Sequence, residues 1–219
     1  MGPASKRLRV IVTRAREQME PLASRIEGLG HDVVRCPLIA LEPVGPERLE
    51  VDGYDWVVVT SAYGARELLR RSSGELPPVA AIGPGTAAAL REGGVEPALV
   101  ARVSTQEGLV AELPSPPGRV LFAGAERARR LLVEELGADF VPLYRTRGLN
   151  PDPPPAGDLV VLASASAADA FAALGLALPA VSIGPETTRA ARAAGIDVIA
   201  EAETHDLDGL VAAVRAVSL

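Results

Sequence analysis

At 219 residues the chain can form one large domain or two small ones, each with a modest core. It is 48% hydrophobic and 23% charged, the composition of a globular protein, and no apolar run approaches the ~20 residues that a membrane span needs. A single cysteine (Cys36) and two histidines (His31, His205) exclude a disulfide framework and speak against a Cys- or His-built metal site, while a net charge of −6 with only 3% aromatic residues argues against nucleic-acid binding.

The basic residues are arginines except for Lys6, in the N-terminal stretch MGPASKRLRV, so no Schiff-base lysine is expected within the fold. That stretch lacks the long apolar run of a secretory signal. The expectation is a cytoplasmic protein with no membrane partner, no metal and no cofactor.

In chain order, RVIV (9–12) reads as a short buried strand, β-branched as parallel strands are. It ends in TRA (13–15), where Thr13 offers a hydroxyl and Arg14 a forked donor suited to carboxylate. A helical run follows and stops at Gly30, a C-terminal cap signal. HDVV (31–34) is the next strand, with His31 at a surface turn and Cys36 beyond it as a small buried hydrophobe. DWVVVT (55–60) is a strand running into Ser61 and Ala62. VAAI (79–82) leads to Gly83-Pro84-Gly85-Thr86 and an Ala-rich helix that ends near Gly94.

TQEGLVAEL (105–113) has helical spacing, LPSPPG (113–118) breaks it, and RARRLLVEELG (127–137) is the next helix, capped by Gly137. The proline-rich NPDPPPAGD (150–158) reads as a linker. A strand then ends at Ser164 and Ala165, and VSIGPETT (181–188) brings Gly184, Pro185 and Thr187 before a helix that stops at Gly195. His205 precedes a last helix whose first acids are Asp206 and Asp208.

These elements are written twice. Gly83 and Gly184 lie 101 residues apart, as do Thr86 and Thr187, and Gly94 and Gly195. YDWVVVTSAYGARELL (54–69) matches GDLVVLASASAADAFA (157–172), and residues 8–39 resemble residues 118–144. Repetition at this period, with alternating strands and helices, predicts an α/β fold of two similar lobes, each a parallel sheet flanked by helices.

In such sheets ligands bind at the carboxyl ends of strands, where helices start with unpaired N–H groups. Thr13, Ser61, Thr86, Ser164 and Thr187 all stand at such junctions, and Gly83, Gly85 and Gly184 could admit a ligand to the backbone. This is chemistry for an anion. Each hydroxyl also has a plain reading as a helix cap. The chain carries no HExxH, no Walker lysine and no complete GxGxxG fingerprint.

The ordered set VTRA, CPLI, VVVTSA, AIGPGTAAAL, PLYRT, ASAS and SIGPETT resembles the uroporphyrinogen-III synthase family across about residues 8 to 214. That resemblance implies two lobes joined by a two-stranded connector: residues 1–37 with 149–219 in one lobe, 46–140 in the other, and 38–45 and 141–148 crossing between them. It implies a lyase of haem biosynthesis that binds hydroxymethylbilane, a linear octacarboxylate, without cofactor or metal; a monomer is expected. Loss of the ring A hydroxyl gives an azafulvene. Ring D attacks through its substituted carbon, and a spiro intermediate fragments and recloses with the ring inverted.

Tyr144 matches the family's tyrosine after the second crossing strand and is the candidate proton donor. The alternative is a packing tyrosine in the connector. Thr13, Arg14, Ser61, Ala62, Gly83, Thr86, Ser164, Ala165, Gly184 and Thr187 become candidate substrate contacts. Ala15, Ala163 and Tyr63 depart from the family pattern. A non-catalytic two-lobed receptor for a small anion is the competing reading.

Overall fold

The structure is a computed structural model that describes residues 7–217; Lys6 lies outside the described residues. The chain folds as β1 (Arg9–Val12), α1 (Arg16–Glu27), β2 (Asp32–Arg35), β3 (Ile39–Pro43), β4 (Trp56–Val59), α2 (Ala62–Arg71), β5 (Val79–Ala81), α3 (Pro84–Glu92), β6 (Leu99–Val100) and α4 (Gln106–Glu112). It continues through β7 (Val120–Ala125), α5 (Leu131–Leu136), β8 (Asp139–Gly148), β9 (Leu159–Leu162), α6 (Ala165–Ala172), β10 (Ala180–Ser182), α7 (Pro185–Ala193), β11 (Val198–Glu201) and α8 (Leu207–Val217).

Two compact units result: Met1–Leu41 with Thr146–Leu219, and Glu42–Arg145. The first holds a sheet in the order β11-β10-β9-β1-β2, the second a sheet in the order β3-β8-β7-β4-β5-β6. The pairs from β11 to β2 and from β8 to β6 are parallel. The chain passes between the units along β3 and β8.

Alternate residues of each buried strand face opposite helical layers, which is why the strands are apolar throughout. In the first unit Val10, Val12, Leu159 and Val161 pack with Leu22 and Ile26 of α1 and Leu210 and Val214 of α8. Ile11, Val160 and Leu162 pack on the other face with Ala168 and Phe171 of α6 and Ala191 of α7. In the second unit Val58, Val120 and Phe122 pack with Leu109 of α4 and Leu132 of α5.

The repeat has a simple form in space. The strands β11-β10-β9-β1-β2 correspond in order to β6-β5-β4-β7-β8. In the second unit these five come consecutively from β4 to β8, whereas the first unit begins with its last two, β1 and β2, and receives the other three after the second unit is complete.

Two expectations need correction. The helix expected over 127–137 is only Leu131–Leu136. Two of its three arginines are engaged outside a helix: Arg129 pairs with Glu107, and the Arg130 guanidinium lies 3.5 Å from the centre of the Phe140 ring. Gly137 does close it, in the left-handed region at φ 62°. His31 is not a surface residue but is buried, with Nδ1 accepting from the Leu8 N–H at 3.4 Å.

Candidate active site

Each sheet has one point where the chain leaves neighbouring strands in opposite directions: between β4 and β7, and between β9 and β1. Ligands of open α/β sheets bind at the carboxyl ends of strands at such a point. Ser61 and Ala62 follow β4, and the turn at 126–130 follows β7. Ser164 and Ala165 follow β9, and Thr13 and Arg14 follow β1.

In the second unit Ser61 is the N-cap of α2, and its Oγ accepts from the Gly64 N–H at 2.9 Å. The Tyr144 phenol donates to the same Oγ at 2.9 Å. A serine hydroxyl has two acceptor sites and one proton. Both acceptor sites are filled here, so the Ser61 proton is the group left to offer a ligand. Tyr144 is almost wholly buried and meets Tyr63 edge to face, with ring centroids 5.0 Å apart. Burial pushes its phenol above the usual value, and the bond to Ser61 offsets only part of that. At neutral pH Tyr144 therefore rests in its protonated form, with its proton directed at Ser61.

Arg14 sits at the corresponding edge of the first unit. Its Nη2 donates to Gln18 Oε1 at 3.2 Å, and its buried Nε has no partner among the described residues. Burial lowers its pKa, yet a guanidinium keeps its charge. A half-buried cation with no carboxylate paired to it among the described residues is a ready partner for an anion. Thr13 is different: it is fully buried and donates to the Val161 carbonyl at 2.8 Å, tying β1 to β9.

Ser164 caps α6 by accepting from the Ala167 N–H at 3.2 Å, and Ala165 is the first residue of that helix. The helices α3 and α7 start as the sequence suggests, with Pro84 and Pro185 in the first position and Gly83 and Gly184 at the N-caps, and neither has a side-chain cap. Thr86 and Thr187 stand in the first turns and are largely buried.

Gly83 and Gly184 each face a side chain of the protein. Both are extended, a conformation open to any residue. A Cβ on Gly83 would lie 2.3 Å from Ser104 Oγ, and one on Gly184 would lie 2.8 Å from His205 Cδ2. The space is thus taken by a side chain of the protein, while around Gly85 it is open. Ser104 and His205 are themselves 101 residues apart, each just before a cap, Thr105 of α4 and Asp206 before α8. The two first turns also differ in charge. Gly85 is matched in α7 by Glu186, whose carboxylate, paired with Arg189, already occupies the anion-favouring end of the helix.

Among the described residues no group of three or more His, Cys, Asp or Glu side chains is placed to hold a metal, and no helix is long and apolar enough to cross a membrane. Cys36 is buried and unpaired.

Solved structures with the same fold include uroporphyrinogen-III synthetase from Helicobacter pylori 26695, with TM-score 0.68 and 16% identity over 97% of this chain and 100% of that one. A mutant uroporphyrinogen III synthase from the extremely thermophilic bacterium Thermus thermophilus has TM-score 0.60 and 20% identity over 95% of this chain and 98% of that one. No curated protein matches significantly in sequence. The family model described as uroporphyrinogen-III synthase HemD matches residues 20–212, and the chain belongs to that family.

Proposed function

We infer that the chain is a uroporphyrinogen-III synthase, which closes hydroxymethylbilane into the type III macrocycle with inversion of ring D and loss of water. The observation that carries this is the family match over residues 20–212. We further read the protein as a cytoplasmic monomer that needs neither metal nor cofactor.

In this reading the ring A hydroxyl leaves as water after a proton reaches its oxygen. Ser61 delivers that proton, and Tyr144, donating to Ser61 at 2.9 Å, replaces it. The azafulvenium cation so formed is attacked by the substituted carbon of ring D; the spiro intermediate fragments and recloses inverted. The proton released as the last pyrrole regains aromaticity restores the relay. Arg14 docks a substrate carboxylate, and the first-turn amides after Ser61, Gly83 and Ser164 receive others. Holding the flexible bilane in one conformer supplies the rest of the effect.

The experiment is incubation with hydroxymethylbilane, oxidation, and separation of type I from type III porphyrin. Type III product is expected, and it should persist in EDTA. The same type I product with and without protein would leave the non-catalytic anion receptor as the better reading.

A further inference from the structure

One charged cluster is unused by the chemistry above. Arg71, in the last turn of α2, is buried, and its guanidinium bonds Glu67 of the same helix through Nε at 2.9 Å and Nη2 at 2.6 Å. Its remaining donors go to backbone carbonyls outside the helix: Nη1 to Val44 and Pro46, and Nη2 to Leu143 at 2.7 Å. The Leu143 carbonyl also accepts from the Val44 N–H at 2.9 Å. The turn that presents these carbonyls is tightly specified. Gly45 has φ +77°, and a Cβ there would lie 2.2 Å from the Pro142 carbonyl oxygen.

Leu143 immediately precedes Tyr144. The helix α2 is thus joined to this part of β8 at both ends, by Ser61 taking the Tyr144 phenol at its start and by Arg71 gripping the backbone at its finish. A guanidinium spends its five donors in a fixed plane, so its hold sets direction as well as distance. Glu67 keeps that plane oriented. Arg70, which also bonds Glu67, is exposed and reaches no carbonyl of the turn among the described residues.

We propose that Arg71 is a positioning residue for the synthase reaction: oriented by Glu67, it fixes the backbone ahead of Tyr144 and so holds the Tyr144 phenol on Ser61. The kinetic part of this inference rests on the proposed role of Tyr144; the positional part does not.

The test uses the full chain labelled with fluorotyrosine. It holds three tyrosines, Tyr54, Tyr63 and Tyr144, so three fluorine resonances are expected, and Tyr144→Phe and Tyr54→Phe each identify one. In Arg71→Lys, and in Glu67→Gln as the milder variant that keeps the guanidinium, the Tyr144 resonance should shift and broaden while that of Tyr54 stays. The turnover number should fall about tenfold with KM within about twofold. Adding Arg71→Lys to Tyr144→Phe should cost little beyond Tyr144→Phe alone, because the two act through one group. A Tyr144 resonance unmoved in both folded variants overturns the proposal, and so does equal movement of Tyr54, which would signal general loosening. If the Tyr144 resonance moves while Tyr144→Phe keeps full turnover, the positioning stands and the proton-donor reading fails.

Discussion

Burial of the Tyr144 ring keeps the phenol protonated well past neutral pH, and its one proton points at Ser61. Tyr144→Phe keeps the ring and deletes the donor. We expect turnover to fall while KM changes little, at or below the low end of the ~10²- to 10⁴-fold typical of acid assistance, because Ser61 stands between the phenol and the substrate. A melting curve must accompany the kinetics, since the variant leaves an acceptor site of Ser61 unfilled. Arg14→Gln is a test of binding. Hydrogen bonds to a charged group contribute ~1.5–3 kcal/mol, so KM should rise at least about tenfold with turnover unchanged. An unchanged KM would remove Arg14 from the site. Thr13→Val should do the reverse, lowering the melting temperature without touching KM, because the hydroxyl is spent on Val161.

The strand-helix junctions were legible in the sequence because their signals are local. Proline in the first turn, glycine before it and serine at a cap each act on backbone groups within four residues. What fills the space beside those glycines was not legible, because the filler arrives from the next junction of the fold: Ser104 stands 21 residues after Gly83, and His205 stands 21 after Gly184. Only the matching 101-residue offset of Ser104 and His205 hinted at it. The two roles of Gly184 make opposite demands. If it makes room for His205, Gly184→Ala should destabilise by ~1–3 kcal/mol, as overpacking does. His205→Gly should relieve most of that loss, with substrate affinity unaffected. If the glycine instead admits substrate, KM should rise at normal stability and His205→Gly should rescue nothing. Chemical denaturation of the single and double variants separates the two.

At the scale of the whole chain, the repeated strings 54–69 and 157–172 were enough to read two parallel sheets, because a buried parallel strand has to be apolar along its full length. The Arg71 cluster had no such signature, since its partners at Val44, Pro46 and Leu143 are backbone carbonyls, which any residue carries. It has a consequence for the protein's stability against acid. Burial pushes the Glu67 carboxyl up, but the hydrogen bonds and charges of Arg70 and Arg71 outweigh that and bring it below its ordinary value of 4.5. Near that value the unfolded chain therefore binds the proton and the folded one does not, so stability rises with pH there. The contribution is present in full above about pH 5 and is lost as pH falls through the folded value. Glu20, Asp32 and Glu96 are also held low by arginines, and Asp139 by Tyr54 and then Arg119, but all four are exposed, and salt screens the charge pairs. Glu67 is nine-tenths covered and is screened far less. We expect the acid limb of the stability curve to survive in high salt and to flatten in Glu67→Gln. That variant should also lose stability at neutral pH, at or below the low end of the ~3–5 kcal/mol for breaking a buried pair, because the amide oxygen can still accept from Arg71. Urea denaturation of both proteins between pH 3 and pH 7, at low and high salt, measures this, and an acid limb equally steep in the variant would assign acid sensitivity to the exposed carboxylates instead.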